Sequence, residues 1–213
     1  MKKNTYPLKL LIATRNPGKF KEFEHFLKEL PVQLLSLRDF PGLKEVSEPY
    51  QTFEENARHK ALSAYQQTGI VSLGDDSGLE VDALSGAPGI FSARFAGEDA
   101  DDERNNQKLL GLLKNLPAQK RTARFRCVLA VRISEDEFRM VEGEARGLIL
   151  FEPRGNKGFG YDPVFYCPEL GKTFAELDPE EKMRVSHRGD ALRKLRPIIQ
   201  ELVEMNPGGK KPF

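Results

Sequence analysis

Two stretches of this chain gather polar and charged residues in a form that suits anion and metal chemistry. The first is Ala13-Thr14-Arg15-Asn16-Pro17-Gly18-Lys19. An Asn-Pro-Gly turn between an apolar run and an amphipathic one marks a strand-to-helix junction. A helix start offers backbone N–H groups and the positive end of a dipole, to which Thr14, Asn16 and Lys19 would add donors and charge. It is not a Walker A loop, which needs Gly five residues before Gly18 and Ser or Thr after Lys19, where this chain has Ala13 and Phe20. On spacing alone two readings stay open: a phosphate-binding turn, or an ordinary turn with a solvated lysine.

The second stretch is acidic. Glu48, Glu54 and Glu55 are followed by Asp75-Asp76 after the apolar run Ile70 to Leu73. Neighbouring residues at a strand end point to opposite sides, so one carboxylate can face a substrate while the other orients it or caps the turn. Mg²⁺ suits such a place, because it prefers oxygen ligands and is commonly held by one or two carboxylates plus substrate phosphates. The competing reading is an Asp-Asp-Ser-Gly surface turn. In favour of a site, both stretches are expected at C-terminal ends of strands, where open α/β sheets place ligands.

Two later stretches have the chemistry to read a nucleobase. In Gly158-Phe159-Gly160-Tyr161-Asp162-Pro163 the glycines permit close backbone approach and an exposed ring can stack on a base; the alternative is a core aromatic in a glycine-rich bend. Further on, Ser186 can cap the last helix and set His187 and Arg188 in its first turn, with Lys182 just before. A cation at the positive end of a helix is mismatched unless something anionic or carbonyl-bearing is expected there. For His187 the alternative is a satisfied buried histidine.

These residues need elements to hold them. Leu8 to Ala13 suits a buried strand, Phe20, Phe23, Phe26, Leu27 and Leu30 recur at helical spacing from Lys19 until Pro31, and Val32 to Leu37 resembles a second strand. Thr52 with Glu55 reads as a capping box opening a helix over Phe53, Ala57, Ala61, Ala64 and Tyr65, stopped at Gly69. Ile70 to Leu73 is a strand that runs into Gly74-Asp75-Asp76-Ser77-Gly78. After a polar stretch from Glu98 to Gln107, the leucines at 109, 110, 112, 113 and 116 mark another helix. Arg124 to Ile133 and Phe138 to Ile149 read as a long hairpin. Asp190 to Met205 is a last helix that Pro197 should kink or interrupt, and 206–213 reads as a flexible tail. The order predicts an α/β fold with a mixed sheet, in a single domain over residues 1–205 that is open to division into two lobes.

Composition narrows the rest. The 213 residues fit one full domain with ample chain for a core. With 33 Lys+Arg against 32 Asp+Glu, the net charge of +1 argues against a coat for nucleic acid or an anionic membrane, both of which need a large positive field. The neutrality conceals segregation: residues 45–82 hold eight acids and two bases, residues 182–196 six bases and one acid. The basic run Lys120, Arg121, Arg124 and Arg126 reads as a solvated strand edge rather than a nucleic-acid surface. Cys127 and Cys167, with no second pair, make neither a disulfide framework nor a zinc site and read as reduced thiols. Lys2 and Lys3 before Leu10-Leu11-Ile12-Ala13 imitate a signal peptide, but the apolar run is too short, and none approaches the ~18 residues of a membrane span. A cytoplasmic protein is expected, with neither membrane nor nucleic acid as partner.

In order and spacing the segments resemble the inosine/xanthosine triphosphate pyrophosphatase family. The resemblance runs through Thr14 to Lys19, Thr52-Phe53-Glu54-Glu55-Asn56-Ala57 with Lys60, Asp75 to Asp82, Pro88-Gly89 with Ser92-Ala93-Arg94, Gly158 to Pro163, and Ser186-His187-Arg188-Gly189. It implies an elongated α/β fold with a central sheet and a cleft between two lobes, Mg²⁺ dependence and a homodimer. It also implies a hydrolase that converts ITP, dITP or XTP to the monophosphate and pyrophosphate, cleansing the nucleotide pool; the alternative is the same chemistry on another modified NTP.

Residue by residue, the resemblance implies phosphate binding by Thr14, Asn16 and Lys19, with Arg15, Pro17 and Gly18 in the same turn and Lys60 nearby. Arg15 and Pro17 fall where the family varies. Asp76 matches the catalytic acid residue, to which both metal binding and activation of water are assigned. Glu48 is the second metal ligand, with Glu55 and Asp75 in support, and Ser77 touches substrate beside Asp76. A carboxylate on Mg²⁺ is no strong base, so the ion is expected to lower the pKa of the water and the acid cluster to take the proton. Phe159 would stack on the purine, with Gly160, Tyr161 and Asp162 shaping the pocket and Lys182, His187 and Arg188 reading the edge. Inosine and xanthosine carry a 6-oxo acceptor where adenosine carries a 6-amino donor. Fixed cationic donors therefore favour them, and such a site can reject the wrong group by about 10⁴ or more. No residue is identified that excludes guanine.

Overall fold

The strands form one sheet in the order β2-β1-β3-β4-β5-β6-β7 in a computed structural model that describes residues 8–43, 46 and 49–205. β1 (Leu8–Ile12) lies parallel to β2 (Val32–Ser36), with Leu10 opposite Leu34, and parallel to β3 (Ser72–Val81), with Ile12 opposite Leu73. β4 (Thr122–Arg132) and β5 (Phe138–Ile149) follow, and β5, β6 (Phe165–Cys167) and β7 (Lys172–Thr173) pair antiparallel. The sheet is therefore mixed, as the sequence predicts. The expected tail at 206–213, the N-terminal residues 1–7 and Glu48 lie outside the described residues.

Local chemistry sets the helix limits. α1 (Pro17–Leu27) starts two residues before the expected Lys19, because Asn16 caps it and Pro17 is suited to a first helical position that needs no N–H. In α2 (Phe53–Thr68) the Thr52 hydroxyl accepts from the Glu55 N–H. The Thr52 hydroxyl in turn donates to Glu55 Oε2 at 2.9 Å, a variant of the expected capping box. α3 (Asp102–Leu112), capped by Asp101, absorbs much of the polar stretch. α4 (Pro179–Val185) precedes α5 (His187–Met205), which continues through Pro197 without interruption.

β3 departs most from expectation. The stretch Gly74-Asp75-Asp76-Ser77-Gly78 is no turn: it lies inside a ten-residue strand. Pairing with β1 stops at Leu73, where the Ala13 N–H meets the Leu73 carbonyl at 2.7 Å, so Asp75 and Asp76 sit just past the end of β1 while β3 runs on.

The chain divides into two units, one of Met1–Asp76, Val128–Glu142 and Ala191–Phe213, the other of Ser77–Cys127 and Gly143–Asp190. In the first, Leu10, Leu11, Ile12, Phe23, Ala57, Ala61 and Leu73 are fully buried, as are Leu192, Leu195 and Ile199 of α5. In the second, Leu79, Val81, Leu109, Leu113, Phe125, Phe165 and Phe174 belong to one apolar cluster. Burial of such aliphatic and aromatic side chains, at about 1.5–3 kcal/mol each, is what holds strands and helices together.

Candidate active site

In the first unit the site is built on the β1–α1 junction, α2 and β3. Asn16 Oδ1 accepts from the Gly18 and Lys19 N–H groups at 2.8 and 3.1 Å, and Thr14 Oγ1 accepts from the Asn16 N–H at 3.1 Å. These bonds fix the turn, and they also engage two of the helix-start N–H groups that the sequence reading offered to an anion. Arg15 gives its carbonyl to Arg38 at 3.1 Å, and Pro17 and Gly18 form the first turn of α1. Lys19 points onto β3, where its Nζ donates to Asp75 Oδ1 at 2.6 Å.

Two buried lysine–carboxylate pairs result. Lys60, from α2, donates to Asp76 Oδ1 at 2.6 Å and to the Asp75 carbonyl at 3.2 Å. Asp75 and Asp76 are only 1% and 5% exposed, so neither carboxylate could stay there without such a partner. The approach of α2 to β3 that makes this possible depends on Gly74. A Cβ there would lie 2.1 Å from the Ala57 carbonyl oxygen and 2.9 Å from the Ala61 nitrogen.

Among the described residues no group of three or more His, Cys, Asp or Glu side chains could hold a metal. The donor set nevertheless fits Mg²⁺, which needs one or two carboxylates and completes its shell with water and phosphate oxygens: Asp75 and Asp76, consecutive on β3 and so on opposite sides of the strand, each offer hard oxygen donors. Glu55 stands at the start of α2, engaged with Thr52.

In the second unit Phe159 to Asp162 fold into a loop closed on itself. Asp162 Oδ2 accepts from the Phe159 N–H at 2.9 Å and from Lys182 Nζ at 2.6 Å, and the Lys182 ammonium lies 4.8 Å from the Phe159 ring centroid. Gly158, at φ +76°, has no room for a side chain, since its Cβ would meet Asp162 Oδ2 at 2.0 Å. Phe159 is half-buried, whereas Tyr161 is buried with its hydroxyl donating to the Ser92 carbonyl at 2.8 Å. Burial, and secondarily the Asp102 charge, pushes the Tyr161 phenol well above its ordinary pKa.

Ser186 Oγ accepts from the Gly189 N–H at 3.1 Å, the cap expected for α5. In the first turn that follows, His187 stacks on Phe125 with centroids 4.5 Å apart and 11° between the planes. Arg188, 1% exposed, lies 5.8 Å from the Phe159 ring centroid and donates to Ser77 Oγ at 2.8 Å. Ser77 is the residue after Asp76 on β3. Lys182, Asp162, Phe159, Arg188 and Ser77 are thus brought together within this unit, with His187 against its aromatic core.

Three placements went unread in the sequence. Arg121, expected on a solvated edge, is 1% exposed and donates to the carbonyls of Ile149, Leu113 and Leu150 at 2.6–2.7 Å. Arg124 and Arg126 both reach Glu80, at 2.6 and 3.6 Å. The Asn105-Asn106 pair of α3 is buried: Asn105 bonds the Ala96 N–H and the Ala93 carbonyl, and Asn106 the Gly160 carbonyl. The available signal was two amides one turn before Leu109, on the helix side that the leucines mark as inward.

Comparisons with known proteins find relatives over most of the chain. A model of the Ham1 family matches residues 10–198. A dITP/XTP pyrophosphatase of Desulforamulus reducens is 53% identical over 195 residues, 92% of this chain and 97% of its own length. One from Bacillus subtilis is 47% identical over 190 residues, 89% of this chain and 96% of its own. The solved structure of a HAM1 protein from Coxiella burnetii superposes with a TM-score of 0.83 at 41% identity, covering 91% of this chain and 99% of its own.

Proposed function

The chain belongs to the Ham1 family, and on that premise we propose that it is a nucleoside-triphosphate pyrophosphatase acting on the non-standard purine nucleotides ITP, dITP and XTP. The observation that carries the reading is the pair of buried contacts Lys19–Asp75 and Lys60–Asp76, which store two cations and two carboxylates together at the end of β1. A structural core has little use for four charges there, whereas a triphosphate–metal complex needs both signs.

The reaction is NTP plus water to NMP plus pyrophosphate, with cleavage between the α- and β-phosphates. Lys19 and Lys60 turn from their carboxylates to phosphate oxygens and stabilise the charge that grows on the departing pyrophosphate. Thr14 and Asn16 shape the turn that receives it. Asp76 and Glu48 would hold Mg²⁺, with Asp75 and Glu55 in support, and the ion when bound would lower the pKa of the attacking water and screen the phosphates. Asp76 orients that water, and the acid cluster takes its proton.

In the second unit Phe159 stacks on the purine. Lys182 is fixed by Asp162 and Arg188 by Ser77, so both are pre-oriented donors for a 6-oxo group, and the resemblance implies that His187, stacked on Phe125, reads the same edge. The resemblance further supports a homodimer in the cytoplasm, and no helix among the described residues is long and apolar enough to cross a membrane.

Initial rates of pyrophosphate release from ITP, dITP, XTP, ATP, GTP and a modified pyrimidine triphosphate, with and without Mg²⁺, test the reading. It requires the inosine and xanthosine nucleotides to lead ATP by orders of magnitude. Equal turnover of ATP would sink it, and a lead by the pyrimidine would move the chemistry to the alternative substrate class.

A further inference from the structure

The loop that carries Phe159 is open at Gly160. A Cβ at Gly160 would meet nothing within 4 Å, residues 151–158 are exposed, and a groove of about 370 Å³ opens between the loop and α3. The Phe159 ring itself lies against the Lys182 ammonium, at 4.8 Å, and the Arg188 guanidinium, at 5.8 Å, while the backbone beside it is placed by hydrogen bonds, two of which come from α3. Asp102 Oδ2 accepts from the Gly160 N–H at 2.6 Å, and Asn106 Nδ2 donates to the Gly160 carbonyl at 2.8 Å. Both polar groups of that one backbone residue are gripped from the same helix.

The helix is itself anchored. Asn105 ties it to the Ala93 and Ala96 backbone, and the buried Arg121 joins the Leu113 carbonyl just past its end to the carbonyls of Ile149 and Leu150, where the chain leaves β5 toward the loop. Asn106 is 7% exposed, and its Oδ1 makes no hydrogen bond while its Nδ2 makes two. An orphaned buried acceptor is a cost that a purely structural position would shed by substitution, so the donor is what the position needs.

Building on the proposed purine-binding role of Phe159, we infer that Asp102 and Asn106 are positioning residues for base recognition: they hold Gly160, and through it Phe159, at the level where a purine stacks. They act through the backbone and touch no substrate themselves. Their loss should weaken the hold on the base and leave the phosphate end as it was.

The test uses Asp102→Ala, Asn106→Leu and the conservative Asp102→Asn, whose amide oxygen can accept the same N–H. Losing one such hydrogen bond corresponds to roughly a tenfold change. Asp102→Ala and Asn106→Leu are expected to raise KM for dITP about tenfold with kcat within about threefold, and to weaken inhibition by IMP about tenfold while inhibition by pyrophosphate stays put. Asp102→Asn should stay within about threefold of the parent throughout. The chain has no Trp, so Phe159→Trp supplies a single reporter; its fluorescence anisotropy, without substrate, should fall when Asp102→Ala is added and hold with Asp102→Asn.

Unchanged KM and IMP inhibition in a folded Asp102→Ala protein would overturn the inference, as would equal weakening of IMP and pyrophosphate, which marks general damage. A parent protein that hydrolyses none of the purine triphosphates, with anisotropy still falling on Asp102→Ala, would instead overturn the substrate reading and leave the grip on Gly160 standing.

Discussion

Gly74→Ala probes the link between packing and chemistry at its narrowest point. The added Cβ would sit 2.1 Å from the Ala57 carbonyl oxygen and 2.9 Å from the Ala61 nitrogen, where ordinary contact begins at 3.4 Å. Both obstacles are α2 backbone and cannot rotate away, so helix and strand must part by about 1 Å. Overpacking of this kind costs about 1–3 kcal/mol. At about 2–4 °C per kcal/mol for a chain this long, Tm should fall by roughly 2–12 °C. The same separation displaces Lys60, on α2, relative to Asp76, on β3, which are 2.6 Å apart in the parent. A misplacement of about 1 Å at reacting groups can cost about 10²-fold, so kcat/KM should drop by about that factor. Thermal unfolding by circular dichroism and pyrophosphate release from dITP measure the two effects. Gly111→Ala is the control: its Cβ meets nothing within 4 Å, and Ala is favoured over Gly in a helix by up to about 1 kcal/mol, so Tm should hold or rise. A Gly74→Ala protein with parental Tm and kcat/KM would refute the argument that this close approach builds the site.

Three further outcomes are expected. Asp76→Asn keeps an acceptor for Lys60 but removes the carboxylate; turnover should fall at least about 10²-fold with the fold kept, as circular dichroism reads it, and near-normal activity would take Asp76 out of the mechanism. Arg121→Met removes a donor from the carbonyls of Ile149, Leu113 and Leu150, at a cost of about 1–3 kcal/mol for each carbonyl left unsatisfied, which a denaturant midpoint measures; a change under about 1 kcal/mol would show that those hydrogen bonds contribute little. Glu181 is held below its ordinary pKa of 4.5, first by the Lys172 ammonium and then by the Asp178 N–H. Its contribution is therefore present above that ordinary value and lost as pH falls through the lowered folded value. The Tm gap between the parent and Glu181→Gln should be widest near neutrality and close in acid, and a gap independent of pH would contradict the assignment.

The parts of the fold that local chemistry decides were legible in the sequence. Thr52 and Gly69 bound α2, the hairpin strands sit within about two residues of their expected ends, and Ser186 caps α5 where its type and position indicate. What escaped depends on partners far along the chain. Gly74-Asp75-Asp76-Ser77-Gly78 has turn composition, yet it is strand: Gly74 is small to admit α2, and the two acids are neutralised by lysines fifty-six and sixteen residues away. Arg121 shares its sequence neighbourhood with exposed Lys120 and gives no local sign of the three carbonyls that bury it. Asn105 and Asn106 sit in a charged run that reads as solvated, and only the return of the chain at Gly160 reveals what Asn106 is for. Pro197 is expected to kink or interrupt the last helix, and α5 runs through it without interruption.

The central claim is that paired lysines and carboxylates at the end of β1 cut a purine triphosphate between its α- and β-phosphates. Phosphorus-31 NMR of dITP incubated with the protein and Mg²⁺ reads this directly. The account predicts dIMP and pyrophosphate appearing together, with no dIDP at any time. Appearance of dIDP and orthophosphate would contradict it.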